Sequence, residues 1–142
     1  MITYVDTSTL LKLIIDEDGS DRAVTIWTSA DAVASVALIL VEARAALAAA
    51  KRGRRLTSGQ HTDAKGELEA LIVDLHIVEP TEELIANAAD LAESKALRGY
   101  DATMHLAAAV LVGATVLSSA DTELCPAAER RGLHVANPVV AG

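Results

Sequence analysis

A chain of 142 residues in which 51% of the side chains are hydrophobic can bury a sizeable core, which excludes an intrinsically disordered protein. Its formal net charge of −8, from 12 Lys and Arg against 20 Asp and Glu, excludes broad, unspecific attraction to nucleic acid or anionic membrane and leaves only local basic patches for such contacts. The lone cysteine, Cys125, excludes an internal disulfide framework and a zinc site with two or more thiolates, and fits a reducing compartment.

Ile2 to Val5 reads as a short strand that ends on Asp6. The hydroxyls Thr7, Ser8 and Thr9 follow, and a helical apolar pattern runs from Leu10 to Ile15 before the Asp16-Glu17-Asp18-Gly19 turn. Ser20 to Ala30 is a second short helix with Ala23, Ile26, Trp27 and Ala30 on one side, and Ala32 to Val36 is a buried strand. A strongly helical stretch from Ala37 ends in the basic turn Lys51-Arg52-Gly53-Arg54-Arg55. Thr57 with Gln60 matches a capping box, so a further helix is expected over Ser58 to Asp74, with a short strand at Leu75 to Val78.

Thr81 caps a helix to about Lys95, its first turn made acidic by Glu82 and Glu83. Leu97 to Asp101 turns into an apolar helix over Ala102 to Val112, followed by a strand at Thr115 to Leu117. A helix through Ala127, Ala128 and Arg131 and a last strand, Leu133 to Ala136, complete the pattern. Strands alternating with helices predict an α/β domain, its parallel sheet covered on both faces, as one unit over 1–142. The uncharged stretch Ala102 to Ala120 has spanning length, but its Gly, Ser, Thr and His residues read as a buried helix, a turn and a strand. With no basic leader before the first apolar run, a cytoplasmic protein with no membrane association is expected.

Four carboxylates stand out. Asp6 and Asp121 both follow the carboxyl ends of expected strands, where α/β proteins bind ligands. Each alone is read as a helix cap, as is Asp101 at the start of its apolar helix. Glu42 differs, because from Ala32 to Ala50 it shares only with Arg44 the charge of an otherwise apolar stretch. Either it lies on an exposed stripe, or it is paired, protonated, metal-bound or facing a cleft, since an unpaired buried carboxylate is very costly. All four acids fall on what should be one rim, with Ser8 and Ser119 beside two of them. Converging carboxylates repel, and a hard divalent cation with oxygen ligands, Mg²⁺ or Mn²⁺, resolves the conflict and supports phosphodiester hydrolysis. His61, His76, His105 and His134 are dispersed and form no metal motif, although His105 follows Asp101 by one helical turn.

Tyr4-Val-Asp6-Thr-Ser8, Glu42-Ala-Arg-Ala-Ala-Leu47, Leu97-Arg-Gly-Tyr-Asp101-Ala and Ser119-Ala-Asp121, with Leu124, Ala127-Ala128 and Gly132-Leu133 after them, lie in order along nearly the whole chain. In these pieces the chain resembles PIN-domain ribonucleases, particularly the VapC-type toxins of toxin–antitoxin pairs. The resemblance implies a three-layer α/β/α domain and a Mg²⁺- or Mn²⁺-dependent endoribonuclease. Asp6, Glu42, Asp101 and Asp121 match the family's catalytic, metal-holding acids, Asp6 and Asp101 being the direct ligands expected. Ser8 and Ser119 match hydroxyls that orient the acids or hold a water. A homodimer silenced by a VapB-type antitoxin is implied as well. One departure is that many relatives carry His or an aromatic residue three positions after the third acid, where this chain has Met104, with His105 next.

For RNA or antitoxin contact, Arg98, three residues before Asp101, is the better candidate; the run Lys51 to Arg55 reads first as a solvated helix terminus. The alternative to an enzyme is a catalytically silent α/β binding module that recognises a protein partner through an apolar helix such as the one carrying Trp27.

Overall fold

The computed structural model describes residues 1–95, 97 and 99–140. In chain order the elements are β1 (Ile2–Val5), α1 (Thr7–Lys12), α2 (Ser20–Ser29), β2 (Ala32–Val36), α3 (Leu38–Arg52), α4 (Ser58–Asp74), β3 (His76–Val78), α5 (Glu82–Lys95), α6 (Tyr100–Leu111), β4 (Val116–Ser118), α7 (Leu124–Arg130) and β5 (His134–Ala136). The strands form a parallel sheet in the order β3-β2-β1-β4-β5. Among the described residues no helix is long and apolar enough to cross a membrane.

Side chains alternate across a strand, so each strand feeds two cores. Tyr4, Ala34, Val36 and Leu117 point to one face, where Leu84, Leu91, Leu106 and Leu124 of α5, α6 and α7 cover them. Val5 and Val33 point to the other, under Leu10, Ile39, Leu47 and Leu68 of α1, α3 and α4. Trp27 is partly buried against this second core. The three-layer α/β/α arrangement expected from the sequence is the one observed. Ala107, Ala108 and Ala109, all buried, give α6 a surface of small side chains in a core without phenylalanine.

This division of helices follows from the strand order. The chain moves outward from β1 to β2 to β3 with its connections on one face, then crosses to the far side of β1 for β4 and β5 with its connections on the other. The reversal opens a crevice at the carboxyl ends of β1 and β4, the position where open α/β sheets bind ligands. Val5 is in register with Ser118, and the Asp6 amide donates to the Ser118 carbonyl (3.1 Å), so the segments after both strands leave the sheet side by side.

Local chemistry explains most boundaries. Thr57 accepts from the Gln60 amide at 3.1 Å and the Gln60 side chain accepts from the Thr57 amide at 2.9 Å, a complete capping box. The Thr81 hydroxyl accepts from the Leu84 amide, capping α5 as expected. Two expectations are corrected. The first helix starts earlier and stops sooner, at Lys12, because Asp6 caps it directly and Leu13 to Ile15 continue in tight turns. Leu75 belongs to the end of α4, its amide bonded back to the Ile72 carbonyl, rather than to β3.

Candidate active site

Asp6 is the floor of the crevice. Only 5% exposed, its carboxylate receives three hydrogen bonds: Ser8 Oγ (2.7 Å) and the Thr9 amide (3.2 Å) donate to Oδ1, and Ser119 Oγ (2.5 Å) donates to Oδ2. The Thr9 contact is the helix cap that the local sequence suggests; the serine contacts go beyond capping. Burial nevertheless raises its carboxyl above the ordinary value, against the opposing influence of His105 and of these donors. The Ser118 side chain, fully buried, bonds Thr9 Oγ1 at 2.9 Å and stitches β4 to the same turn.

The loop after β4 brings Asp121. Its amide donates to Ser119 Oγ (2.9 Å), and its Oδ1 accepts from the amides of Glu123 and Leu124 (2.8 and 3.2 Å). Ser119 therefore links Asp121 to Asp6 by donating to one residue and accepting from the other. The Ala120 amide donates to Ser8 Oγ (2.9 Å), closing the two loops on each other. Cys125, buried beneath, donates its thiol to the Ser119 carbonyl.

Glu42, in the second turn of α3, is neither on the exposed stripe nor deeply buried: its side chain is 20% exposed and Oε1 lies 2.7 Å from His105 Nε2. The other imidazole nitrogen lies 2.7 Å from the Tyr4 hydroxyl, which also accepts from the Val36 amide at 3.1 Å. Burial pushes the Tyr4 phenol well above its usual range. Nε2 carries a hydrogen for the Glu42 carboxylate to accept, and in a neutral imidazole Nδ1 then accepts from the Tyr4 hydroxyl. His105 is 3% exposed and Tyr4 fully buried.

Asp101 is exposed, in the first turn of α6 and one turn before His105. It is not the cap: Gly99 occupies that position, and a methyl group built on Gly99 would meet Asp101 Oδ1 at 2.7 Å. The carboxylate folds back over this glycine and would have to swing aside for a larger residue.

The structure thus joins Asp6 to Asp121 through Ser119, reaches Glu42 from the strand of Asp6 through Tyr4 and His105, and carries Asp101 on the helix of His105. Arg98 lies outside the described residues. The basic run Lys51 to Arg55 is exposed at the far end of α3, where a rise of 1.5 Å per residue sets Lys51 about 14 Å along the helix from Glu42. That placement suits a solvated helix terminus.

Among the described residues no three His, Cys, Asp or Glu side chains group closely enough to enclose an ion between them. The donors nonetheless suit a hard cation. Mg²⁺ usually takes one or two carboxylates and keeps several waters, so a closed protein cage is not its habit. Asp6 is a desolvated carboxyl whose Oδ2 has a single protein partner among the described residues, and the Thr7 hydroxyl beside it is buried without any. Carboxylate and hydroxyl oxygens dominate the crevice, a set for Mg²⁺ or Mn²⁺ rather than zinc. A cavity of about 480 Å³ between α5 and α6, bordered by Asn87, Asp90 and Arg131, includes none of the four acids.

Comparison with known proteins identifies the family. The family model for the PIN domain matches residues 3–129. This chain belongs to the PIN-domain family. Among curated relatives, the PIN domain is 39% identical over 137 residues to ribonuclease VapC45 of Mycobacterium tuberculosis, covering 95% of this chain and 94% of that one. Among solved structures it is similar to FitAcB from Neisseria gonorrhoeae, with a TM-score of 0.74, 20% identity, and 97% and 98% of the two chains covered. It is also similar to Mycobacterium tuberculosis VapC20, a sarcin-ricin loop cleaving toxin, with a TM-score of 0.66, 19% identity, and 88% and 94% covered. At these identities the solved structures speak for the fold of this PIN domain.

What sequence reading missed in this PIN domain is the chain Tyr4–His105–Glu42. The available signals were His105 one turn after Asp101 and Tyr4 two residues before Asp6, but partners 101 and 63 residues apart declare themselves only in three dimensions.

Proposed function

We propose that this PIN domain is a metal-dependent endoribonuclease, the toxin of a type II toxin–antitoxin pair, with Asp6, Glu42, Asp101 and Asp121 as its working acids. The observation that carries this reading is the buried Asp6 carboxylate, held by three donors at the crevice between β1 and β4 and linked through Ser119 to Asp121. A purely structural cap needs neither the burial nor the second and third donors. The 39% identity to a ribonuclease over nearly the full length supports RNA as substrate.

Asp6 and Asp101 would hold Mg²⁺ or Mn²⁺, with Glu42 and Asp121 completing the acidic ring. When bound, the ion supplies a water of lowered pKa and neutralises charge on the phosphodiester. Ser8, Thr9 and Ser119 keep the Asp6 carboxylate in one orientation, so little reorganisation is needed as charge develops. Among the described residues Glu42 is engaged through Oε1 only, and Oε2 would accept a proton from the attacking water. Attack on phosphorus breaks the P–O3′ bond, and the departing O3′ takes a proton from water, leaving a 3′-hydroxyl and a 5′-phosphate. Arg98, the VapB-type antitoxin, the homodimer and the cytoplasmic setting belong to the same reading.

Cleavage of RNA by the purified protein in Mn²⁺ tests it. Activity should vanish with EDTA and in Asp6→Asn; full activity in Asp6→Asn would refute the assignment.

A further inference from the structure

We infer that Tyr4 and His105 are positioning residues that tie Glu42 and the helix of Asp101 to the strand of Asp6, so that these elements keep a fixed relation before any ion arrives. This deepens the proposed function and rests on its assignment of the four acids.

The argument is one of connection. Tyr4 precedes Asp6 by two residues on β1; because side chains alternate, it enters the core on the face of α6 rather than following Val5 under α3. Its hydroxyl meets two partners, the Val36 amide at the end of β2 (3.1 Å) and His105 Nδ1 on α6 (2.7 Å). The far side of the imidazole meets Glu42 Oε1 on α3 (2.7 Å). One chain of hydrogen bonds therefore ties the strand of Asp6, the helix of Asp101 and the helix of Glu42. Its members other than Glu42 are buried, and an edge-on contact between the Tyr4 and His105 rings, centroids 5.7 Å apart, fixes the imidazole plane.

Three features separate this from ordinary core satisfaction. A buried histidine needs partners, but a carboxylate with a 20% exposed side chain has water available and does not need the histidine. The contact consumes one Glu42 oxygen and leaves the other, which orients the group without neutralising it. The direction at Glu42 is set as well: a carboxylate only accepts, so Nε2–H is the donor, and the ring acts as a rigid spacer between the phenol and Glu42. Hydrogen-bonded supports of this kind typically change metal affinity about 10- to 100-fold when removed.

Mn²⁺ titration calorimetry on the full chain, with thermal unfolding as a check of folding, tests the inference on Tyr4→Phe, His105→Leu, His105→Gln and a Glu42→Gln control. Tyr4→Phe and His105→Leu should fold and bind Mn²⁺ about tenfold more weakly than the wild type. His105→Gln, which can still donate an amide hydrogen to Glu42, should recover most of the loss. In ¹⁵N spectra of the wild type, the His105 hydrogen should reside on Nε2. Wild-type affinity in His105→Leu, alongside a loss in Glu42→Gln, would overturn the positioning role and leave the acidic site standing. Unchanged affinity in Glu42→Gln would instead remove Glu42 from the site, and with it the inference. Should Tyr4→Phe fail to fold, the pair His105→Leu and His105→Gln decides alone, because both leave Tyr4 in place and differ in the donor.

Discussion

Ser119, 113 residues from Asp6 in the chain, places its hydroxyl 2.5 Å from the Asp6 carboxylate and at the same time accepts the Asp121 amide at 2.9 Å. One buried oxygen thereby sets the spacing between an acid that follows β1 and an acid that follows β4. Ser119→Ala removes a donor to a buried carboxylate and leaves the Asp121 amide without its acceptor. The expected cost is about 1.5–3 kcal/mol of stability, measured by urea unfolding, together with a large loss of Mn²⁺-dependent RNA cleavage. Loss of cleavage with unchanged stability would show that the bond to Asp6 carries little energy.

Asp6 itself should make the protein less stable at neutral pH than an uncharged replacement would. Its carboxyl is raised in the fold, so between the ordinary Asp value of 3.8 and the folded value the native state holds a proton that the unfolded chain has released. Stability therefore falls as pH rises through that window and stays lower above it. Asp6→Asn should melt on the order of 5 °C higher than wild type at about pH 8 without divalent ions. The gap should close as pH drops below the ordinary Asp range, and Mn²⁺ should raise the melting temperature of the wild type only. A gap that widens in acid would contradict the burial argument.

Cys125 should be inert in the native protein. Burial, chiefly, pushes its thiol up to about 11, with the charge of Asp6 adding to the effect, and the residue is 8% exposed. A disulfide reagent at about pH 8 should leave it unmodified for as long as the fold persists and titrate one thiol in urea. Rapid native reaction would mean that the β4–α7 loop opens.

Gly19 offers a control away from the acids. It sits at φ +89°, and a Cβ there would approach the Pro138 carbonyl oxygen to 2.8 Å. Gly19→Ala should cost about 1–3 kcal/mol by chemical unfolding while the remaining folded fraction keeps its Mn²⁺ affinity. Loss of Mn²⁺ binding in step with stability would link this turn to the site.

Much of this architecture is legible in the sequence because it is local. Asp6 after a β-branched run, the Thr57–Gln60 capping box and the glycine stops at Gly113 and Gly132 are decided by neighbours a few residues away. The four candidate acids could be marked from local signals too: Asp6, Asp101 and Asp121 stand at strand or helix boundaries, and Glu42 breaks an apolar stretch. The strand order could not, since β3-β2-β1-β4-β5 depends on which face each crossover takes, a property of the assembled sheet. Asp101 reads as a cap in the sequence, yet Gly99 takes that place and Asp101 falls in the first turn of the helix. Nor does periodicity reveal that His105, on an apolar helix, faces both Tyr4 and Glu42.

The central claim, that the acids gathered around Asp6 hydrolyse RNA, is tested most directly by mapping RNA ends in cells after controlled expression of the wild type and of Asp6→Asn. The wild type should generate new 5′-phosphate ends at discrete sites, and Asp6→Asn, folded and equally abundant, should generate none. The same ends from Asp6→Asn at wild-type frequency would contradict it.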